Sequence, residues 1–325
     1  MEAMTIWTGK AVPRVGLGCW AIGGDVLAGQ THTGYGQVDD AQSLAGLKVA
    51  DEMGARLFDT AAYYGGGHSE RLLGQTFGDR DDIVIVTKFG TEVDAETRRA
   101  GDTDLSPGGI RASVERSRKN LRRDRLDLLL FHINNHPPEQ SVEVFDTLEA
   151  LRSEGRIGAY GWSNDAVNGV RAFADREGFV AIENDFNVFT PATELMRYAE
   201  DKHLVAISRL PLAMGMLTGK YNTGARIPAG DVRAEPLDWM TFFKNGVANP
   251  EYVKRLEAIR ELLTTGGRTL AQGALGWILA RSSAALPVPG FKTPEQVRDN
   301  LGALAKGPLP VSVMHEIDVL LGRAA

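Results

Sequence analysis

Four residues with side chains that can hold or move a proton lie at or near the ends of short apolar runs. Asp59, Lys88 and His132 each end such a run, and Tyr64 lies in the loop five residues after Asp59. Runs rich in Val, Ile and Leu are typical of strands buried in a parallel sheet. If these strands belong to one barrel, their carboxyl ends meet at one rim, and the four side chains would meet over a common pocket.

This combination of residue types suits proton transfer to an oxygen atom. The pKa of an unperturbed tyrosine hydroxyl is near 10. A lysine ammonium about 4 Å away stabilises a phenolate by about 1 kcal/mol in water and by about 4 kcal/mol at an effective dielectric near 20, which is roughly one to three pKa units. We therefore expect Lys88 to lower the pKa of Tyr64 and Asp59 to hold Lys88 charged. His132 would hydrogen-bond the substrate oxygen or Tyr64.

Eight apolar runs alternate with segments of helical period, and this pattern predicts a closed (β/α)8 TIM barrel in a single domain, residues 1–325. The expected strands are 15–18, 57–59, 83–88, 126–132, 157–163, 181–184, 204–209 and 285–288. The clearest expected helices are 41–53, 107–121, 139–154 and 193–202. Residues 5–13, with Gly9-Lys10 at the turn, predict an N-terminal β-hairpin that caps the bottom of the barrel.

Two long segments interrupt the alternation of strands and helices. Residues 23–37 follow the first strand, and residues 218–249 follow the seventh. Loops of this length in a compact domain are usually functional, and both leave the end of the barrel where active sites are built. We expect them to cover an apolar substrate, with Trp20 and Trp239 as its most direct contacts. Tyr63, either Tyr160 or Trp162, and Phe243 could also line the pocket mouth, and His32 and Tyr35 in the first long loop are weaker candidates.

Composition excludes several functional classes. The chain has 36 Lys and Arg against 42 Asp and Glu, a net charge of −6, and no long basic run, which argues against a nucleic-acid or anionic membrane surface. Cys19 is the single cysteine, so an intrachain disulfide and a cysteine-built zinc site are excluded. We expect no metal site, no membrane span and no secretory signal, and hence a cytoplasmic protein.

One glycine motif is misleading. Residues 16–21 match the G-x-G-x-x-A pattern of a Rossmann dinucleotide fold directly after an expected strand. The adjacent Gly23 and Gly24 oppose the helix that should begin inside that motif, and the acidic ribose partner is missing about 20 positions later. We expect these glycines instead to let the backbone pass close to a ligand.

Several ordered motifs resemble the aldo-keto reductases over nearly the whole chain. They are Gly16–Trp20, Phe58–Gly65, Thr87–Gly90, Leu130–His132, Gly155–Asn164, Pro211–Lys220 and Pro287–Lys292. The resemblance implies an NADPH-dependent carbonyl reductase with Asp59, Tyr64, Lys88 and His132 as its catalytic residues. Tyr64 rather than Tyr63 matches, because the tyrosine of the family directly precedes a glycine.

The same resemblance implies a set of contacts to NADPH or NADP+. The expected cofactor-binding residues are Ser163 and Asn164 at the carboxamide, Leu217, Gly219 and Lys220 at the pyrophosphate, Gly290, Lys292 and Thr293 at the adenosine phosphates, and Gln296 and Asn300 at the adenine, with Leu212 as a further contact. A lysine near a helix start suits a 2′-phosphate, because its charge and the helix amides point the same way.

Two positions depart from the family pattern and are also expected to contact the cofactor. Glu183 stands where the family commonly has glutamine, and Arg209 stands where an aromatic ring usually stacks on the nicotinamide. A planar guanidinium can also stack, and it would add positive charge beside a ring that becomes cationic on oxidation. Both departures bear on the orientation and redox preference of the ring.

The function we expect is reduction of an aldehyde or ketone to the alcohol by hydride transfer, with a small-molecule carbonyl compound as the partner. Keto-sugars, cyclic ketones, quinone-like ketones and aldehydes stay open as substrates, and so does the oligomeric state. Two alternatives remain: a cofactor-binding redox-sensing or regulatory subunit with slow turnover, and a barrel aldolase that uses Lys88 as a Schiff-base nucleophile.

Overall fold

The computed structural model describes residues 3–221 and 224–323. Eight parallel strands form one sheet, in which each strand pairs with the next one along the chain. The amides of Gly16 and Gly18 donate to the carbonyls of Pro287 and Pro289, both at 3.0 Å, and so join the last strand to the first. The expected (β/α)8 TIM barrel is therefore confirmed.

The eight strands are numbered here in chain order as barrel strands one to eight. They span Leu17–Gly18, Leu57–Asp59, Val84–Phe89, Leu126–Phe131, Ile157–Ser163, Phe179–Asp185, Val205–Arg209 and Ala285–Pro287. Each expected strand overlaps its observed counterpart. The boundaries differ by no more than two residues at either end, because the apolar run and the hydrogen-bonded ladder do not stop at the same residue.

Helices lie between the strands and cover the outside of the barrel. They span Trp20–Gly23, Asp40–Glu52, His68–Phe77, Pro107–Leu121, Val142–Ser153, Val167–Arg171, Thr193–Asp201, Pro250–Leu263, Leu270–Arg281, Pro294–Lys306 and Val311–Leu320, with 3₁₀ turns at Pro138–Gln140, Ala213–Thr218 and Val232–Ala234. Ser106 caps one helix by accepting from the Gly109 amide, and Pro107 follows at its first position, so this helix begins at the expected residue 107.

The core has two layers. Side chains that alternate along the strands, such as Leu57, Val86 and Leu128, fill the barrel interior, while their neighbours pack outward against the helices. Ile6 and Val12 of the N-terminal hairpin join the interior cluster, so the expected hairpin is present and packs against the barrel interior.

The hairpin strands at the start of the chain are Ala3–Thr5 and Ala11–Pro13. The loop after barrel strand one contains a small hairpin, Leu27–Ala28 with Thr31–His32, and the loop after strand seven contains another, Phe243–Lys244 with Val247–Ala248. Residues 222 and 223 of this second loop lie outside the described residues. A further hairpin after strand three, Thr91–Val93 with Ala100–Thr103, is not anticipated by the sequence.

The glycines of the misleading motif have a structural cause. A Cβ at Gly18 would lie 2.6 Å from the carbonyl oxygen of Val288, and one at Gly16 would lie 2.9 Å from that of Leu57. The close approach is therefore to neighbouring strands, while Gly18 also lines the large groove at the end of the barrel, so the expected approach of this backbone to a ligand stays a prediction. A one-turn helix does begin inside the motif at Trp20, but it ends at Gly24, which has a φ of +85°.

Candidate active site

The ammonium of Lys88 lies at the centre of a cluster at the carboxyl ends of the strands. Barrel strands two and three place it 2.7 and 2.8 Å from the two carboxylate oxygens of Asp59, and it also donates to the carbonyl of Thr60 at 2.9 Å. The hydroxyl of Tyr64 lies 3.3 Å away. Lys88 is buried, and its three hydrogen bond donors all face oxygen atoms.

Barrel strand six brings a second carboxylate to the same ammonium. The Oε2 atom of Glu183 lies 3.4 Å from Lys88 Nζ, and the side chain is buried. Burial lowers the pKa of Lys88, but the neighbouring carboxylates of Asp59 and Glu183 outweigh it, so the pKa is raised. Lys88 therefore stays protonated in this cluster.

The environment of Tyr64 differs from the sequence-based expectation. Burial raises the pKa of its hydroxyl, and the charges of Asp59 and Glu183 raise it further, while Lys88 lowers it. The net direction is upward, so the expected net lowering of the Tyr64 pKa is wrong for this arrangement. The sequence argument includes Lys88 but not the desolvation of the phenol or the second carboxylate.

Asp59 experiences the same competition. Burial and the nearby Glu183 charge raise the pKa of its carboxyl, and the contact with Lys88 opposes that shift. Asp59 and Glu183 thus compete for one ammonium in a poorly solvated space. The net direction for Asp59 is upward, so its carboxyl has a higher affinity for protons than in water.

His132 follows barrel strand four, and its ring faces the ring of Tyr64. The two centroids are 6.2 Å apart at an interplanar angle of 83°. Burial, together with the positive charges of Lys88 and Arg209, lowers the pKa of His132 well below its ordinary value. The imidazole is therefore neutral at pH 7 and has one nitrogen that can donate a hydrogen bond.

Arg209 ends barrel strand seven and is paired with two carboxylates. Its Nε donates to Asp185 at 2.7 Å, one Nη contacts Asp165, and the other Nη donates to Ser163 Oγ at 3.2 Å. Burial lowers the pKa of Arg209, but these carboxylates raise it more. The guanidinium therefore stays charged, as expected, and the carboxylates of Asp165 and Asp185 offset part of its charge.

A groove of about 1400 Å³ runs across the same end of the barrel, from the Tyr64 cluster to the helix Pro294–Lys306. Most residues that the sequence proposes for catalysis or binding line it. They are Trp20, Asp59, Tyr64, His132, Glu183, Arg209, Leu212, Lys220, Trp239, Gly290, Lys292, Gln296 and Asn300. The groove is long and is lined by both polar and apolar side chains, as a dinucleotide and a small organic substrate would together require.

Other proposed residues are not among those that line the groove. Ser163 and Asn164 are buried, and the Asn164 side chain accepts from the Ala166 amide at 2.7 Å, so it shapes its own turn. Leu217 is buried, and Gly219 takes a left-handed conformation that ends a 3₁₀ turn. Thr293 caps the helix Pro294–Lys306.

The far end of the groove carries a lysine beside a helix start. Lys292 Nζ donates to the carbonyl of Tyr35 at 2.7 Å, and its backbone amide donates to Gln296 Oε1 at 2.7 Å. Burial, Arg233 and Lys220 lower the pKa of Lys292, and Asp231 raises it. Asn300 donates to the Gly290 carbonyl at 3.2 Å. Cationic side chains and helix amides are thus collected at one end of the groove.

The two long loops meet above the groove. The Val232 amide donates to the Gly34 carbonyl at 2.7 Å, and Trp20 Nε1 donates to the Thr33 carbonyl at 3.2 Å. Trp20 also stacks on Tyr64 with a centroid separation of 6.0 Å. The loops therefore cover the site, as expected.

The aromatic candidates for the pocket mouth divide into two groups. Tyr35 and Tyr63 line the groove. Tyr160, Trp162 and Phe243 are buried in the core, so their expected place at the mouth is wrong. These three occupy outward-facing or loop-packing positions, which a sequence without known strand orientation does not distinguish from inward ones.

Arg233 is a structural residue of the groove that the sequence does not reveal. It forms a paired contact with Asp231, donates to the hydroxyl of Tyr221 at 2.6 Å, and lies 5.0 Å from the ring centroid of Tyr35. It thus ties the second long loop to the first. No sequence pattern connects Arg233 with Tyr35, because Tyr35 lies almost 200 positions earlier in the chain.

Across residues 3–221 and 224–323, no helix is long and apolar enough to cross a membrane. The same residues contain no group of three or more His, Cys, Asp or Glu side chains that could hold a metal ion.

Comparison with known proteins shows relatives of similar length. The aldo-keto reductase yakc [NADP(+)] of Schizosaccharomyces pombe is 28% identical over 304 residues, which cover 90% of this chain and 84% of that protein. The NADH-specific methylglyoxal reductase of Escherichia coli is 30% identical over 310 residues, which cover 91% of each chain.

A solved structure extends the likeness to three dimensions. The glycerol dehydrogenase of Gluconobacter oxydans is 25% identical, with a TM-score of 0.80 over 100% of this chain and 95% of that one. The sequence pattern of the Aldo/keto reductase family matches residues 14–321. The chain therefore belongs to the aldo/keto reductase family of oxidoreductases.

Proposed function

We propose that the protein is an NADP(H)-dependent reductase of aldehydes or ketones, with Tyr64 as the proton donor to the carbonyl oxygen. The observation that carries this proposal is the contact of Lys88 with both Asp59 and Tyr64 at the inner end of the groove. Lys88 stays charged and lies 3.3 Å from the phenolic oxygen, so it stabilises the phenolate that proton donation leaves behind.

His132 and Tyr64 define where the carbonyl oxygen binds. A neutral imidazole donates one hydrogen bond without competing as an acid, and the lowered pKa of His132 keeps it in that form. Two donors that converge on one oxygen orient the carbonyl and stabilise the negative charge that develops on it. Trp20, stacked against Tyr64, forms the wall beside this position.

The groove fits a nicotinamide dinucleotide phosphate. Its length connects the Tyr64 cluster with Lys292, where a half-buried ammonium and the start of the helix Pro294–Lys306 suit a phosphate group. Bound NADPH supplies the hydride. The name of the S. pombe relative includes NADP(+), whereas that of the E. coli relative specifies NADH, so Lys292 is the residue on which our preference for the phosphorylated form depends.

The substrate in this proposal is a small carbonyl compound that binds between aromatic side chains. Trp20, Tyr35 and Tyr63 line the inner part of the groove, and Trp239 lies at its outer edge with 51% of its surface exposed. Such walls accept flat apolar carbonyl compounds and also sugar faces. Keto-sugars and cyclic ketones are therefore included in the class.

The Schiff-base alternative does not fit the surroundings of Lys88. A nucleophilic lysine needs a neutral amine that reaches the substrate. Lys88 is buried beneath Tyr64, and two carboxylates raise its pKa. A regulatory role with slow turnover has no feature in its favour within the described residues.

A panel assay tests the proposed function. Purified protein is mixed with NADPH or NADH and a series of aldehydes and cyclic ketones, and the loss of absorbance at about 340 nm is followed; the alcohols are tested in the reverse direction. The proposal predicts NADPH oxidation that depends on the carbonyl compound. Tight cofactor binding without turnover of any compound would instead favour the regulatory alternative.

A further inference from the structure

Glu183 is a buried carboxylate that the proposed proton transfer does not require. Asp59 already satisfies Lys88 with both of its oxygens at 2.7 and 2.8 Å. The Oε2 atom of Glu183 lies 3.4 Å from the same ammonium, has no hydrogen bond partner and is shielded from solvent. Burying an ionised carboxylate in such a place costs free energy of folding unless another positive group lies close to it.

The charges around Glu183 do not balance. In the described part of the chain, the contacts of Lys88 and Arg209 connect two cations with four carboxylates, those of Asp59, Glu183, Asp165 and Asp185. His132 contributes no charge at pH 7, because its pKa is lowered. The inner end of the groove is therefore negative when these carboxylates are ionised.

The position of Tyr64 determines what this negative charge acts on. If Tyr64 protonates the carbonyl oxygen, the carbon that gives up the hydride must lie next to the carbonyl carbon, and hence near Tyr64. The Nζ atom of Lys88 contacts both side chains: it lies 3.3 Å from the hydroxyl of Tyr64 and 3.4 Å from Oε2 of Glu183. A nicotinamide ring that reached Tyr64 would therefore lie in the same groove as the Glu183 carboxylate.

We propose that Glu183 is a positioning residue that makes the groove favour the oxidised cofactor, NADP+, over NADPH. This inference rests on the proposed function. The oxidised ring carries a positive charge and the reduced ring does not, so a nearby uncompensated carboxylate stabilises only the oxidised form. Hydride donation from the bound cofactor is favoured to the same extent, because it creates that positive charge.

The test is a comparison of two dissociation constants at pH 8.5, well above the ordinary pKa range of carboxyl groups. Titration calorimetry measures NADP+ and NADPH binding to the wild type, Glu183→Gln and Glu183→Asp. The matched control is Glu177→Gln, which removes the same charge from an exposed side chain just before the start of the same strand. Carboxamide contacts are common to both cofactor forms and cancel in the ratio of the two constants.

We expect Glu183→Gln to weaken NADP+ binding about tenfold relative to NADPH, as a unit charge some 10 Å away at an effective dielectric near 20 would do. Glu183→Asp and Glu177→Gln should keep the wild-type ratio within about twofold. An unchanged ratio in a folded Glu183→Gln protein overturns the inference and leaves the proposed function intact. If the wild type binds neither cofactor, the proposed function itself fails.

A folding control accompanies these titrations. Glu183→Gln replaces a buried carboxylate with an amide of similar shape, and circular dichroism on heating reports whether the barrel is intact. If this variant does not fold, Glu183→Ser, which also removes the charge, is titrated in its place. A NADP+ preference about tenfold weaker than that of the wild type supports the inference, and an unchanged ratio overturns it.

Discussion

At the scale of single residues, the buried ammonium of Lys88 controls the electrostatics around Tyr64. It contacts one carboxylate through two short hydrogen bonds and a second at 3.4 Å, and it still donates toward the phenol. The net effect of this environment is to raise the pKa of Tyr64. Tyr64 therefore stays protonated in the neutral pH range and holds the proton that a carbonyl oxygen would receive.

His132 gives a residue-scale prediction about pH. Its lowered pKa means that the unfolded chain takes up a proton below about pH 6.5 while the folded protein does not, so this residue destabilises the fold as the pH falls. We expect the wild type to lose about 1 kcal/mol more of its free energy of unfolding than His132→Gln between pH 7.5 and 5.5. Urea unfolding at both pH values measures this, and equal losses in the two proteins would contradict the assignment.

Lys292 gives a second prediction at this scale. Replacing it by alanine removes the ammonium proposed for the 2′-phosphate, so the KM for NADPH should rise about tenfold or more while kcat changes less. The KM for NADH, which lacks that phosphate, should stay within about twofold. Lys48→Ala, an exposed lysine on the helix Asp40–Glu52, is the matched control. An unchanged KM for NADPH in Lys292→Ala would show that the 2′-phosphate binds at another place.

At the scale of elements, the barrel closes where two backbones approach closely. A Cβ at Gly18 would meet the carbonyl oxygen of Val288 at 2.6 Å, which is shorter than a normal contact. We expect Gly18→Ala to lower the free energy of unfolding by about 1–3 kcal/mol, because strands one and eight must separate to accept the methyl group. Urea unfolding measures the change. Gly101→Ala, in the polar hairpin after strand three, should change it by less than about 0.5 kcal/mol; equal losses would show that closure does not depend on Gly18.

Comparison of sequence and structure is most informative at the same scale. The strand Ile157–Ser163 and the helix Pro107–Leu121 coincide with their expected bounds, because apolar runs and a Ser-Pro start are local signals. The hairpin Thr91–Val93 with Ala100–Thr103 is missed, because its side chains are polar and lack an alternating pattern. The local pattern of apolar residues predicts strands and helices that bury one regular set of side chains. It misses elements, such as this hairpin, that depend on contacts with neighbouring parts of the fold.

The candidate site shows the same limit. The meeting of Asp59, Tyr64 and Lys88 follows from the order of the strands, because parallel strands deliver their carboxyl ends to one rim. The contact of Glu183 with Lys88 does not follow, since it depends on how tightly the barrel curves across its interior. Arg209 is similar: its carboxylate partners lie 24 and 44 positions earlier, and no spacing rule connects them.

At the scale of the whole molecule, the net charge of −6 and the charge of the groove are separate properties. Lys220, Lys292 and Arg233 collect at the end of the groove proposed for the phosphates, while at the Tyr64 end four carboxylates contact the two cations Lys88 and Arg209. The groove is thus polarised along its length. A cofactor with anionic phosphates at one end and a ring that becomes cationic at the other matches that polarity.

Cofactor binding should therefore stabilise the whole barrel. NADPH at about 100 times its dissociation constant adds about 2.7 kcal/mol, which for a chain of this size raises the Tm by about 4 °C. Differential scanning fluorimetry measures the shift, and NADH at the same concentration should give a smaller one. The absence of any shift with either dinucleotide would argue that the groove does not hold a cofactor.

The most direct test of the central claim is the rate of carbonyl reduction by Tyr64→Phe with NADPH at saturation. The hydroxyl of the neighbouring Tyr63 lies 2.9 Å from Thr33 Oγ1 and does not approach Lys88 within the contacts described, so Tyr63→Phe is the matched control. We predict that Tyr64→Phe loses activity by about 10² to 10⁴-fold while its Kd for NADPH stays within about twofold, and that Tyr63→Phe retains activity within about tenfold. Reduction by Tyr64→Phe at the wild-type rate would contradict the account.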